Sequence, residues 1–389
     1  MRRPKSQTIE EQRFHVAIRG LFALFFFLYF YRSQDAAVAL AQHQLSLGQT
    51  SYHPLVGAVV LTALLMGLQA LVLRVAKIAE RLYILTFVPS AVCAVLLTAF
   101  VPYYRPSALV LTLVVLIVSA VIICRRPQRT ERKPMLSVRL LHCLMLFAYM
   151  GFAGNTNDVL NYEVRTSRLL SDCNYEQALE VGKKSLSSSE RLVAMRAYAM
   201  SHLPGGLGEQ LFTRPLESGG SRQLFLLPAD TSSVLFPPDS LYSFLSGEPA
   251  DSLELGFTAY SRDVFKRFAQ VNPAGPSRDY WLCALLLDKD LQAFAQELPK
   301  YYEVADSLIL PKAYAEALVL VNRQQTDTLL HCANPNVLEN YLDFKDKERK
   351  ISPSAARRNL LYKEYGNTYW WYYFYGGELK EKGNWTNVF

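Results

Sequence analysis

Apolar residues fill five nearly uninterrupted runs within the first 153 positions. After residue 154 they recur every three or four positions instead. The runs lie at about 14–31, 54–73, 82–101, 107–124 and 136–153. Each approaches the ~20 residues a helix needs to cross the hydrocarbon of a bilayer. The second, PLVGAVVLTALLMGLQALVL, and the fourth, SALVLTLVVLIVSAVIIC, carry no charge. The first and fifth each hold one arginine, Arg19 and Arg139, within a turn or two of a basic end. A long side chain there reaches back to the interface. The pattern predicts about five transmembrane helices over 1–153.

Beyond Gly154 the spacing is that of amphipathic helices. NDVLNYEVRTSRLLSD sets Val159, Tyr162, Leu169 and Leu170 near one face, and CNYEQALEVGKKSL follows with Tyr175, Ala178 and Leu179. A third helix starts near Ser189-Glu190 and stops at Pro204-Gly205-Gly206. The small Ala178, one turn after an aromatic, allows close approach within a helical hairpin. YWLCALLLDKDLQAFAQEL, from Tyr280, repeats the helix-turn-helix form around Asp288-Lys289-Asp290, and another unit begins near Leu310. The expectation is an all-α chain: a transmembrane bundle over 1–153, then an extracytoplasmic tetratricopeptide-like solenoid of helical hairpins over 154–389. The proline-rich stretch from Phe225 to Leu253 predicts a long ordered loop between repeats.

Charge adds an orientation. Residues 1–153 carry 16 Lys/Arg and 5 Asp/Glu, whereas 154–389 carry 25 and 29. The basic pI of about 9.0 therefore comes from the membrane-type part, and no nucleic-acid partner is expected. Twelve basic residues precede the first run or lie between the second and third and the fourth and fifth, against Arg32 and Arg105 in the other two loops. This imbalance predicts a cytoplasmic N-terminus, with everything after Gly154 outside. A retained first anchor is expected, not a cleaved signal peptide, because four more runs follow.

The segment YGNTYWWYYFYGG packs eight aromatics into the eleven residues from Tyr365 to Tyr375. Eleven residues are too few to span a bilayer. Read as one helix, it places Tyr365, Tyr369, Tyr372 and Tyr373 on one side, with Trp370, Trp371, Phe374 and Tyr375 covering much of the rest. Either the helix is clamped between neighbours as the last element of the domain, or its aromatics rest at headgroup level.

Groups able to do chemistry are sparse. Arg19, Arg139 and His142 are candidate intramembrane polar residues, and Asp35, just after the first run, is a candidate external acid. GGLGEQL, from Gly205, follows a helix and lacks the lysine of a phosphate loop, so it reads as a helix stop and restart. No catalytic motif stands out, no C-x-x-C occurs among six cysteines, and no cofactor or metal is implied.

Several stretches, in order, carry a resemblance: YHPLVGAVVLTALLMGLQ, NYEVRTSRLLSDCNYEQAL, GGLGEQLFTRP, YAEALVLVN and YGNTYWWYYFY. Together they resemble an uncharacterised Bacteroidota family of multi-pass membrane proteins, known only as a domain of unknown function. Its aromatic terminus usually reads G-D-T-Y-W; here Asn367 stands in place of the Asp. The resemblance implies a bacterial inner-membrane protein with a periplasmic helical-repeat domain, and it implies no reaction. Asp-Ser-Leu and Asp-Thr-Leu triads at 239–241, 251–253, 306–308 and 327–329 resemble periplasmic O-glycosylation acceptors. Two functions suit these features: an envelope scaffold whose partners are the lipid bilayer and a protein on the repeat surface, or a shortened glycosyltransferase-like enzyme or transporter component acting on an envelope lipid or glycan.

Overall fold

A computed structural model describes residues 5–76, 80–99, 105–124, 136–226, 235–248, 261–303, 310–324, 335–352 and 354–376. The described residues are helical, with no strand among them, and the chain divides into two compact units, Met1–Val164 and Arg165–Phe389.

In the first unit, α1 (Lys5–Leu28) runs through a π turn (Tyr29–Ser33) into α2 (Asp35–Leu45). Next come α3 (Pro54–Ala76), a 3-10 stretch (Glu80–Phe87) continuous with α4 (Val88–Ala99), α5 (Pro106–Cys124) and α6 (Leu136–Ala153). Three stretches are long and apolar enough to cross a membrane, by length and composition: Glu11–Ser33, Pro54–Val75 and Leu136–Ala153. The third and fourth runs form the shorter apolar helices Tyr83–Ala99 and Pro106–Ile122, so three and not five reach spanning length among the described residues. In the third run, Pro89 lacks an N–H and crowds the preceding turn. The run therefore begins as a tight 3-10 segment and becomes α-helical only at Val88. The fourth forms α5, which starts at Pro106. The basic residues at 77, 125, 126, 129, 132 and 133 lie outside the described residues.

The core of this unit is apolar, with Phe22, Phe26, Phe30 and Phe87 fully buried, yet its outer surface is apolar as well. Gln69, Thr86, Ser90, Thr98, Thr112 and Ser119 are buried, whereas Val56, Val59, Leu64, Leu113, Val114, Ile117, Leu144 and Met145 are exposed. In α5 the hydroxyl of Thr112 turns inward, donating to the Ala108 carbonyl at 2.8 Å and accepting from the Tyr149 hydroxyl at 3.0 Å. The outward face is a continuous row of Leu, Val and Ile. A helix facing water would place these groups the other way round. Gln34 ties the loop after α6 to the π turn: its amide donates to the Asn155 carbonyl and accepts from the Asn155 N–H, both at 3.0 Å. Gly154 is needed there, since a Cβ would come 2.6 Å from the Tyr29 hydroxyl.

The second unit takes in α7 (Asp158–Ser171), which begins in the first, and then α8 (Tyr175–Glu180), α9 (Glu190–Ser201), α10 (Gly206–Gln210), α11 (Pro238–Ser246), α12 (Asp263–Val271) and α13 (Ser277–Leu287). It ends with α14 (Leu291–Glu297), α15 (Lys312–Gln324), α16 (Pro335–Lys350), α17 (Ser354–Tyr365) and α18 (Tyr369–Tyr375). Three helices are buried on every side: α9 from Leu192 to Met200, α13 from Tyr280 to Leu287, and α15 from Ala313 to Val321. Helices enclosed all round form the centre of a domain, and the others pack upon them.

Two hairpins share one turn. After α7, Asn174 N–H bonds back to Leu169 O, Cys173 takes a positive φ of 55°, and the Asn174 side chain caps α8 through Gln177 N. After α13, Asp290 N–H bonds back to Leu285 O, Lys289 has φ 60°, and the Asp290 carboxylate caps α14 through Ala293 N. Here the repeat signal corresponds to a recurring local geometry. Among the described residues some contacts reach beyond adjacent hairpins. The short α10 packs on α13 and α15, and α18 returns to α15. A solenoid repeat touches only its neighbours. Gly208 makes the first of these contacts possible, because a Cβ there would lie 2.7 Å from the ring of the buried Tyr314.

Two local expectations are corrected. The proline-rich stretch expected as a loop contains α11. Pro238 sits at its first helical position, where a missing N–H costs nothing, and Leu241, Tyr242 and Leu245 form a buried face. The acceptor-like triad 239–241 lies within this helix, while the other three triads fall outside the described residues. The aromatic segment is not one helix. Tyr365 closes α17, and α18 starts after Thr368, whose hydroxyl caps Trp371 N at 3.3 Å.

Candidate functional site

Helix α18 is fastened at every level. Tyr369, Trp370, Trp371 and Tyr372 are buried, and Tyr373 is half-buried. The hydroxyls of Tyr369 and Tyr372 donate to the carbonyls of Leu286 and Leu287, at 3.2 and 2.8 Å. These are among the last carbonyls of α13, which lack partners within their own helix. Lys289, the left-handed residue of the adjoining turn, donates from Nζ to the Gly376 carbonyl at 2.6 Å and lies over the Tyr372 ring. Trp370 packs edge-on against Tyr341 and near Phe344 of α16, and Trp371 Nε1 donates to Arg358 O of α17.

The Asp288-Lys289-Asp290 turn thereby becomes a junction. Asp288 accepts from the N–H and hydroxyl of Ser221, at 2.7 and 2.8 Å. Arg262 bridges Asp288 and Asp290 at 3.3 and 3.0 Å. Three segments remote in sequence meet at one three-residue turn. Gly220, with φ 59°, fits against it because a Cβ would approach Asp288 Oδ1 to 2.6 Å.

Glu316 lies in the middle of the buried α15 and is 3% exposed. One carboxylate oxygen accepts from Tyr369 N–H at 2.6 Å, at the start of α18. The Lys312 ammonium stands 3.9 Å from the other oxygen, and its closer bond, at 2.9 Å, goes to Asn367 O. Loss of water outweighs both contacts and pushes the Glu316 carboxyl up to about 8. The folded chain then holds a proton that the unfolded chain has released, so stability falls as pH rises from about 4.5 toward 8. Glu316→Gln keeps an acceptor for Tyr369 N–H and removes the ionisation. Melting curves of the variant and the parent chain should diverge between pH 5 and 8, the parent losing ground. Parallel curves would show that Glu316 does not titrate in that window.

Nearby, Asp279 Oδ1 accepts from Tyr302 and Tyr314 at 2.6 and 2.8 Å, and the Cys283 sulfur lies 3.7 Å from the Tyr314 hydroxyl. Burial pushes the Cys283 thiol well up, which leaves it protonated and unreactive. Cys93, Cys143, Cys173 and Cys283 are all free.

The intramembrane candidates do not form one site. Arg139 lies over the Phe14 ring at 4.8 Å. His142 is exposed on α6, and its Nδ1 lies 2.6 Å from the Val138 carbonyl of its own helix. Asp35 is buried as the first residue of α2 and is not displayed on an open loop. Among the described residues no cluster of His, Cys, Asp or Glu is arranged for a metal ion. Arg19 is different. The Tyr83 hydroxyl lies within interaction range of the Arg19 guanidinium and of the Gln69 amide. Gln69 Nε2 also donates to Thr86 Oγ1 at 2.9 Å, and His15 stacks on Tyr83 at 3.9 Å.

Sequence reasoning passed over Gln69, Tyr83 and Glu316. The signal was present for two of them: Gln69 is the one amide in an otherwise apolar run, and Glu316 is the one charge in YAEALVLV.

Residues 250–376 are similar to a family of unknown function (DUF6057). The matched stretch contains α12 to α18, and so includes both the Asp-Lys-Asp turn and the aromatic helix clasped to it. None of the first unit lies within it. No curated protein and no solved structure matches the chain.

Proposed function

We propose that this chain is a membrane-anchored interaction protein of the bacterial cell envelope. The observation that carries the reading is the outward face of the first unit, whose rows of exposed Leu, Val and Ile surround an interior that is already packed. Apolar surface of that extent is stable against lipid and costly in water. In this reading α1, α3 and α6 cross the inner membrane, and the shorter α4 and α5 cross as a pair. Three crossings or five are both odd, so the orientation does not depend on that pair. Basic residues at the start of α1 and between the runs keep the N-terminus cytoplasmic and put the helical domain in the periplasm. The domain offers a folded surface to a protein partner. Exposed Leu338, Leu342 and Leu360 on α16 and α17 are the apolar part of that surface.

Two measurements test this. A green fluorescent protein fused after Phe389 should stay dark in the periplasm, while alkaline phosphatase at the same place should be active; the reverse pattern would overturn the orientation. A photo-crosslinking amino acid at Leu342 should trap one reproducible envelope protein in living cells. Absence of any crosslink there and at Leu338 would remove the interaction reading.

A further inference from the structure

The turn that joins α2 to α3 displays its leucines. Leu45 and Leu47 are 85% and 87% exposed, more than any other large apolar side chain among the described residues. Leu47 also takes φ 52°, in the left-handed region that a side chain with a Cβ disfavours. Among the described residues only Cys173 and Lys289 are other non-glycine cases, and both close hairpin turns of the second unit. At the end of α2, Leu47 N–H bonds to Gln44 O and Gly48 N–H to His43 O. Glycine usually takes the left-handed place in such a helix stop. Here leucine takes it and glycine follows. The backbone holds an apolar side chain outward where a glycine would be less strained.

The surroundings indicate what meets these side chains. Between Asp35 and Arg74 the sequence contains no Lys, Arg, Asp or Glu. Charges are cheap in water and costly at a lipid boundary. The five consecutive N–H groups from Ser46 to Thr50 all bond within the turn, at 2.9 to 3.4 Å. Water would satisfy such groups unaided, and a medium poor in water would not. The turn is also held in place. Gln42, in the last turns of α2, donates to Thr50 Oγ1 at 3.0 Å. Tyr52 lays its ring against Gly57 in the first turn of α3, where a Cβ would collide with it. That end of α3 already exposes Leu55, Val56 and Val59. The other end of α2 is fixed, with Ala36, Ala37, Ala39 and Leu40 buried and the helix packed on α3 and α4.

We propose that Leu45 and Leu47 form an interfacial anchor, inserted into the headgroup–acyl boundary of the leaflet in which α3 begins. The assignment rests on the first unit being a membrane unit, and in the orientation given above that leaflet faces the periplasm. The internal hydrogen bonds let the turn enter without stranding its N–H groups. The two leucines give up their exposed surface to acyl chains. Tyr52, beside them, is of the residue type favoured at that depth. A turn fixed in the boundary holds the adjoining ends of α2 and α3 at one level.

The test uses the full chain in vesicles of phosphatidylethanolamine and phosphatidylglycerol. A photoreactive diazirine leucine, close to leucine in shape, replaces Leu45, Leu47, Val59 or Leu186 in turn. After illumination, mass spectrometry identifies what each position has joined. The probes at Leu45 and Leu47 should carry phospholipid, as should the probe at Val59 on the outward face of α3. The probe at Leu186, an exposed leucine of the second unit, should give water adducts instead. Leu47→Asn suits the left-handed backbone, so the turn keeps its shape while half of the anchor is removed. It should lower the lipid adduct at Leu45 about threefold or more. Water adducts alone at Leu45 and Leu47 would overturn the anchor. So would adducts there to a second copy or to another segment of the chain, equal lipid at Leu186, or an unchanged yield at Leu45 in Leu47→Asn. Absence of lipid at Val59 would overturn the membrane reading itself, and so separates the two failures.

Discussion

Trp370→Ala is expected to destabilise the helical domain by about 3–5 kcal/mol, the cost of emptying the place of a large buried aromatic. Trp370 is 1% exposed, and the rings of Tyr341 and Phe344 pack around it. The loss should spread. Without that wedge, α18 keeps mainly polar ties: the hydroxyls of Tyr369 and Tyr372 to the end of α13, Lys289 to Gly376 O, Glu316 to Tyr369 N–H, Trp371 to Arg358 O and Tyr375 to Glu348. Urea unfolding of the full chain in detergent should show a lower midpoint, and limited proteolysis should cut near α18 first. Trp371→Ala should cost less, because Trp371 lies nearer the surface with one long hydrogen bond to Arg358 O. A midpoint within experimental error of the parent for Trp370→Ala would exclude α18 as a core element.

The second large effect concerns the outward face of α5. Val114 lies near the middle of that helix and is half exposed. In lipid, Val114→Lys costs about 2.5–3.5 kcal/mol at the helix centre. The variant should therefore partition partly into the carbonate-soluble fraction or be degraded, while the parent stays in the membrane pellet. The same change at Leu360 on α17, also exposed, should leave fractionation unchanged. Equal fractionation of Val114→Lys and the parent would mean that this face does not meet hydrocarbon.

The two faces of α5 show what single-chain patterning contains. Its apolar run is evident from sequence, and so is the fact that such a helix must be covered on all sides. Which side is covered by protein is not evident, because Thr112 and Ser119 look like ordinary interruptions until Tyr149 is brought against Thr112. The same limit applied to the third run. Its hydropathy is continuous, but Pro89 acts on backbone geometry, which hydropathy does not register.

The aromatic segment divides along the same line. The spacing of helices, the caps at Asn174, Ser189 and Asp290, and the stop at Gly205-Gly206 are local properties, and local chemistry determines them. So does the need to bury eight aromatics in eleven residues. Their destination was decided by contacts between residues far apart in sequence. Tyr369 and Tyr372 find the last carbonyls of α13, and Glu316 loses its water only when α15 is enclosed on all sides. Arg19 and Gln69 stand fifty positions apart, and only the packing of α1 on α3 brings both to Tyr83. Periodicity and capping act over a few residues, so sequence alone determines which helices form. Pairing of buried polar groups acts through space, so tertiary structure alone decides which helices meet and which side chains share a site.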